Sequence, residues 1–428
     1  MSEIKKISAH TLGCKLNFAE TSTIVQKFID SGYEFVPFGQ EVDLTIINTC
    51  TVTNLADKKS RKLIHKASRF AKDIIVIGCS AQLHTKKYSQ YNKVRLVAGL
   101  KDKFKVFDLY HQNKNKTSVY SCDSATVKTF DHAFSIKGRT RSFLKVQDGC
   151  SYNCSYCIIP KARGLSRSPQ IEDIIKDAQN IVEQGFKEIV ITGVNIGDFG
   201  RGTDKTFYDL LVALDKQVDI PRIRISSIEP ELLKDEIISL IAQSDKFLPH
   251  FHIPLQSGSN EILRLMRRRY NTQLFYDRIT TIKKIIPDAF IGIDVIVGFP
   301  GETDNLFKQT LNFLNDLPFS FLHIFPYSDR PNTIASNLPN KIPTDIKNQR
   351  EYLLKTLSNK KHSQFYKEHL NKKYNVLFEA KNKNNKILGF TDNYIKVQVN
   401  YDPSLINQIR RVKLEHLSDN NIVIASLI

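Results

Sequence analysis

FLKVQDGCSYNCSYC, residues 143–157, sets Cys150, Cys154 and Cys157 within eight residues, just past an apolar run that reads as a strand. A loop presenting three thiolates this closely can hold three corners of one iron–sulfur cubane. A closed tetrahedral zinc site would need a fourth ligand from elsewhere. That missing ligand is informative, because a [4Fe–4S] cluster on three thiolates keeps one iron open to a small molecule. Tyr156 adds a ring suited to packing beside a nucleoside.

Outward from this loop the chain alternates strand-like and helix-like runs. Strands are expected at 143–146, 188–191, 222–225, 251–253, 290–297 and 321–325, with helices such as 171–184 and 303–317 between them. Six βα units in this space fit a partial (β/α)6 barrel better than an open doubly wound sheet. Upstream, strands at 4–12, 42–47 and 74–77 alternate with helices at 18–29 and 56–70, which implies a parallel α/β sheet. After Phe104 the pattern dissolves into a polar stretch at 114–129, expected to be a linker. From about Lys372, short β-like runs at 374–378, 394–399, 408–414 and 422–424 describe a small β-barrel, used on nucleic acids or simply as a stabilising cap. The expected domains are 1–115, 136–365 and 368–428.

Three solitary cysteines, Cys14, Cys50 and Cys79, each stand just past the carboxyl end of an expected strand, two of them directly after Gly13 and Gly78. Taken singly, each reads as a small buried hydrophobe. Loops at the carboxyl ends of parallel strands share one edge, however, so the three can converge and hold a second three-thiolate cluster. Cys122 lies in the polar stretch and is expected to be silent. Seven cysteines in a 428-residue chain whose first ten residues lack an apolar signal core argue for metal binding rather than disulfides. No apolar run is long enough to span a membrane, and the expected location is cytoplasmic.

The net charge of +18 is uneven: +11 over residues 1–140, +2 over 141–360 and +5 over 361–428. Such an excess favours a polyanion, nucleic acid rather than membrane, against the alternative of a solvated lysine-rich surface. Lys58, Lys62, Lys66 and Arg69 share one face of the second helix and are candidates for contact with RNA.

These motifs resemble those of the methylthiotransferases. TLGCKLNFAE (11–20), INTCTVT (47–53) and IGCSAQ (77–82) are similar to that family's amino-terminal cluster domain. The cysteine loop with IIPKARGLSRS (158–168) resembles its radical S-adenosylmethionine (SAM) core. TGVNIGDFG (192–200), SSIEPE (226–231), HIPLQSGS (252–259), GIDVIVGFPGET (292–303) and FPYSDRPNTIA (325–335) follow in the family's order. The carboxyl-terminal segment resembles the RNA-binding TRAM barrel. Cys-Lys-x-Asn at Cys14, Lys15 and Asn17 is similar to the branch acting on threonylcarbamoyladenosine in tRNA. Isopentenyladenosine in tRNA and a ribosomal-protein aspartate are the alternative substrates, and an RNA-binding iron–sulfur sensor without turnover is the alternative class.

The resemblance implies two [4Fe–4S] clusters as cofactors, one on Cys150, Cys154 and Cys157 and one on Cys14, Cys50 and Cys79, together with SAM. It implies that SAM is cleaved reductively at the first cluster, that the resulting radical takes the hydrogen from C2 of the adenine, and that sulfur comes from the second cluster. It also implies a tRNA substrate, modified at position 37 beside the anticodon, a low-potential electron donor, no membrane, and a monomer or weak dimer. Tyr156, Thr192, Gly193, Glu229, Gln256 and Gly298 are the expected SAM contacts. Arg163 and Arg167 are expected to offset charge on their own cluster loop or on SAM, and Arg267, Arg268 and Arg269 to end a helix or meet tRNA phosphates.

Overall fold

The computed structural model describes residues 4–112, 116–136, 140–383 and 385–428. Residues 1–3 and 115, the two ends of the first expected domain, lie outside the described residues.

The first sheet consists of β1 (Lys6–Thr11), β2 (Glu34–Phe35), β3 (Val42–Thr49), β4 (Ala71–Gly78), β5 (Val94–Ala98) and β6 (Ser118–Tyr120), in the order β2-β1-β3-β4-β5-β6. All pairs are parallel. Its central strands are runs of Ile and Val, with Ile46, Ile47 and Ile74 to Ile77 wholly buried, because helices cover both faces. The stretch expected to be a linker instead supplies β6. Its three residues pair with β5 from Leu96↔Ser118 to Ala98↔Tyr120. An edge strand tolerates polar side chains, so composition concealed it.

The central unit consists of β7 (Ser142–Lys145), β8 (Glu188–Thr192), β9 (Arg222–Ile225), β10 (His250–Gln256), β11 (Phe290–Val297) and β12 (Phe321–Pro326). Two parallel trios, β7-β8-β9 and β10-β11-β12, are joined by single bridges at Ile223↔Phe247 and Ser227↔His252. Among the described residues no ladder joins β7 to β12, so the six strands form the expected partial barrel. Ile189, Ile191, Ile223, Ile225, Ile253, Ile293 and Leu322 pack outward into one large core with the surrounding helices. Period-2 alternation turns Glu188, Arg222, Arg224, His252, Asp294 and His323 to the opposite, concave face. The first sheet packs beside β7, where Phe18 meets Phe143 edge-on at 5.7 Å.

A 24-residue helix, Thr344–Lys367, leads to a closed barrel of β13 (Lys373–Lys383), β14 (Lys386–Thr391), β15 (Lys396–Asn400), β16 (Ile409–Leu417) and β17 (Val423–Leu427), in the order β13-β14-β15-β17-β16. It docks at the amino ends of the central strands. Arg222 at the start of β9 donates to the carbonyls of Phe390 (3.2 Å) and Thr391 (3.0 Å). Phe290, which opens β11, belongs to the small barrel's own core with Phe365, Ile395 and Val397.

Glu188 is central to this junction, bonded by Arg222 and Arg224 at 2.9 Å each. Burial alone would raise its carboxyl, but Arg224, Arg222 and Arg141 outweigh burial and hold it at about 2. A depressed carboxyl contributes stability above its unfolded value and loses it as pH falls towards the folded one. Urea unfolding followed from pH 5 to pH 2 should therefore show a loss of about 3 kcal/mol attributable to this residue. Glu188→Gln should be less stable at pH 5 and lack that component, and an acid dependence identical to wild type would contradict the assignment.

Candidate functional site

Neighbouring strands bring the solitary cysteines together. Cys50 directly follows β3 and Cys79 directly follows β4, while Cys14 caps the helix Lys15–Asp30 that leaves β1. The register pairs Thr11↔Asn48 and Thr49↔Gly78, so all three ends lie at one edge. Gly78 has φ 102°, and a Cβ there would lie 2.2 Å from Asn48 Oδ1 and 2.4 Å from the Thr49 carbonyl. Only glycine permits that approach.

Each triad is electrostatically self-coupled. Burial, then Cys79 and Cys14, push the Cys50 thiol up to about 12. Burial, then Cys154 and Cys150, push Cys157 up to about 12. Burial also raises Cys150, to about 11, and Cys154. Cys14 is exposed at the surface, and the protein crowded around it still raises its thiol. Such thiols keep their protons until a metal replaces them.

The donor set fits iron–sulfur clusters. Soft thiolates select such clusters or zinc, and a single zinc would draw its sulfurs to roughly 3.8 Å from one another. Among the described residues, the one group of three candidate ligand atoms all within 4.8 Å of one another is His252, Asp294 and His323. Neither cysteine triad is drawn that tight, as befits a cubane that spreads its ligands. Two guanidinium groups and one backbone amide also reach the sulfurs. Arg163 Nε donates to Cys79 Sγ at 3.2 Å, Arg268 Nη1 to Cys154 Sγ at 3.1 Å and the Tyr152 amide to Cys150 Sγ at 3.4 Å.

Arg163 therefore donates to a sulfur of the other triad, while it holds its own loop through Asp148. It ends the helix Ile159–Arg163 just behind Cys157 and is 2% exposed. It bonds Glu20 at 3.0 Å with each terminal nitrogen, Asn17 Oδ1 at 2.6 Å and Asp148 Oδ1 at 2.8 Å. Lys103 reaches Glu20 at 2.6 Å, and Lys145 reaches both Glu20 (3.3 Å) and Asp148 (2.9 Å). Arg167 bonds Asp148 at 3.1 Å. Two carboxylates thus face four cations, all buried or nearly so. Burial would raise Glu20, but Arg163, Lys103 and Lys145 hold it well below the ordinary carboxylate range. The surplus of positive charge suits a neighbour that carries thiolate charge.

Five of the six expected SAM contacts line one rim, at the carboxyl ends of β8 to β11. Thr192 closes β8. A Cβ on Gly193 would lie 2.9 Å from the Gln147 carbonyl and 3.0 Å from Gln147 Oε1, and that oxygen accepts from the amides of Val194 (3.0 Å) and Asn195 (2.8 Å). Gly193 thus makes room for Gln147, a residue the sequence reading missed. Glu229 pairs with Arg268, and burial still pushes its carboxyl up to about 7. Gln256 stands at φ 64°, the left-handed region, where the β10–β11 register slips. Gly298 has φ 72°, and the place of its absent Cβ is filled by Lys347, whose Cγ would be 2.3 Å away. Its amide donates to Glu302 at 2.6 Å. The Tyr156 ring packs edge-on to Phe299 at 6.4 Å in a small apolar cluster.

The basic residues divide. Arg268 is committed to Cys154, Glu229 and Tyr270, while the exposed Arg269 lies 3.9 Å over the Tyr152 ring. Lys58, Lys62 and Lys66 are exposed along the helix Asn54–Ala67, and Arg69, also exposed, lies beyond its end. His252, Asp294 and His323, on adjacent strands of the concave face, were also missed. No sequence spacing links them, since they meet only through strand pairing. Cys122 offers its carbonyl to Gln82 at 2.7 Å.

Residues 144–314 match a family model described as the radical SAM superfamily, and residues 6–99 match one described as uncharacterized protein family UPF0004. The chain is 41% identical to the threonylcarbamoyladenosine tRNA methylthiotransferase MtaB of Bacillus subtilis, covering 95% of this chain and 93% of that one. The corresponding protein of Aquifex aeolicus is 39% identical over 92% and 96%. A tRNA-2-methylthio-N(6)-dimethylallyladenosine synthase of Bacillus subtilis is 29% identical over 96% and 84%. Among solved structures, the radical S-adenosylmethionine methyltransferase TsrM of Kitasatospora setae shares the fold, at a TM-score of 0.54 and 12% identity over 78% and 77%.

Glu20→Gln keeps the shape and removes one of the two buried anions. It should cost about 3–5 kcal/mol in denaturant unfolding, because Lys103, Lys145 and Arg163 are left facing Asp148 alone. A loss below about 1 kcal/mol would show that the knot does not hold the site together.

Proposed function

The chain belongs to the family of threonylcarbamoyladenosine tRNA methylthiotransferases, and from that membership we propose that it converts N6-threonylcarbamoyladenosine at position 37 of tRNA to its 2-methylthio derivative, with two [4Fe–4S] clusters. It is a radical SAM enzyme that transfers a methylthio group, and it uses an iron–sulfur cluster and SAM. The observation that carries the two-cluster reading is the convergence of Cys14, Cys50 and Cys79 at one sheet edge, tied through Arg163 to the Cys150–Cys157 loop.

When bound, the clusters supply the electron that cleaves SAM and the sulfur that is inserted. The chain's own residues do the rest. Cys150, Cys154 and Cys157 would hold the first cluster, and Arg268 and the Tyr152 amide steady two of those sulfurs. Cys14, Cys50 and Cys79 would hold the second, with Arg163 donating to Cys79. Thr192, Gly193, Glu229, Gln256 and Gly298 form the rim on which SAM would lie, and Tyr156 packs behind it. The adenine C2–H is not acidic enough for a side-chain base at neutral pH, so these residues have to position the base and exclude water rather than move a proton. A low-potential donor reduces the enzyme, which works as a monomer or weak dimer.

The small barrel docks at the rim opposite the cysteines, so the tRNA has to be contacted by its outward strands. Lys373 pairs with Lys413 and Asn375 with Arg411, which places three cations on one outer face of β13 and β16. Among the described residues no helix is long and apolar enough to cross a membrane.

Two measurements test this reading. Cys150→Ala should abolish 5′-deoxyadenosine release, whereas Cys14→Ala should retain part of it and form no methylthiolated tRNA. Methylthiolated product from Cys14→Ala enzyme would refute the division of labour. Truncation at Lys372 would strip the core around Phe290, so a milder change is preferable. Replacing Lys373 and Arg411 by Ala should weaken tRNA binding and lower the slope of log K against log salt by about 1–2. An unchanged slope would exclude this face from the RNA interface.

A further inference from the structure

Lys15 opens the helix Lys15–Asp30, beside Cys14. It is half-buried, and among the described residues it has no hydrogen-bond or ion-pair partner. Arg224, Arg141 and Glu188 lie within electrostatic reach of its ammonium, as do His323 and His250. The carboxylates around these cations are already engaged. Glu188 is held by Arg222 and Arg224, Asp392 by Arg222 at 3.1 Å, Glu379 by Arg141 at 2.7 Å and Asp294 by His252 at 2.7 Å. Arg224, 1% exposed, keeps a buried Nη2 without a hydrogen-bond partner. Both cations keep unused donors and lie within electrostatic reach of each other, Lys15 beside the amino-terminal triad and Arg224 on the concave face. Glu188 is shared between Arg222 and Arg224, so the Lys15 charge is left for an anionic ligand to meet.

We propose that Lys15 and Arg224 form a carboxylate-accepting subsite, which receives the free carboxylate at the end of the threonylcarbamoyl tail. This rests on the substrate reading above and names the residues that select it. The tail leaves adenine at N6, across N1 from C2, so the ring can stay at the triads while the carboxylate extends along the concave face. A buried carboxylate needs a charged partner, and a neutral alkyl tail would leave the Lys15 ammonium buried opposite nothing, so the subsite discriminates in both directions. His252, Asp294 and His323 form a hydrogen-bonding wall beside the same space. A divalent cation on those three side chains would be repelled by Lys15, which already lowers the proton affinity of His323 after burial and His252 do.

The test uses iron–sulfur-loaded enzyme and two anticodon stem–loop RNAs, one with the threonylcarbamoyl carboxylate free and one with it as the methyl ester. Affinity is read by fluorescence anisotropy and product by mass. Wild type should bind the free acid about 100-fold more tightly than the ester. Lys15→Met should bind both at the ester's level, and Lys15→Arg should retain most of the preference, which a misfolded or merely structural variant would not do. Equal binding of both RNAs by wild type that methylthiolates the acid, or an undiminished preference in Lys15→Met, overturns the subsite and leaves the reaction standing. Methylthiolation of neither RNA by wild type, with product on another substrate, overturns the substrate reading and the subsite with it.

Discussion

The guanidinium of Arg163 is the interaction on which the site depends. It sits six residues behind Cys157 in the chain, yet its partners Asn17, Glu20 and Cys79 all belong to the first sheet's unit. One planar fork thus fixes the distance between two thiolate triads that no backbone element joins directly. A lysine could supply the charge but not five donors in a rigid plane. The carboxylates it grips, Glu20 and Asp148, flank the two cysteine motifs, so moving either motif breaks bonds at both.

The surrounding architecture serves that juxtaposition. Parallel strands present their carboxyl ends on one edge, and two such edges, from the first sheet and from the partial barrel, meet where the barrel is open between β7 and β12. The chain closes its opposite rim with the carboxyl-terminal barrel, through Glu188, Arg222 and Phe290. Arg330 strengthens the seam, bonding Thr51 and Asp57 at 2.6 Å each on the far side of Cys50. The cysteine triads and the carboxyl-terminal barrel therefore occupy opposite ends of one concave surface, with Lys15 and Arg224 between them.

Much of this was legible in the residues. The cysteine loop after an apolar strand, and three further cysteines each placed at a strand end, were enough to expect two triads and a partial barrel. What stayed hidden was long-range. Arg163 looked like a counter-charge for its own loop because nothing local shows that Glu20, 143 positions away, is buried. The basic run at Arg267 to Arg269 reads as a helix end or as an RNA contact, and nothing local shows that Arg268 within it turns inward to Cys154. Gln147, the β14 strand and the His252–Asp294–His323 group escaped for the same reason, since each is defined by partners that pairing alone brings near. β6 was missed because its side chains are those of an edge.

The central claim is that six cysteines hold two separate cubanes across this seam, and counting the metal tests it most directly. Iron and acid-labile sulfide, measured per chain after anaerobic reconstitution, should each approach about eight. About four of each, unchanged when Cys14, Cys50 and Cys79 are replaced by Ala, would contradict the account.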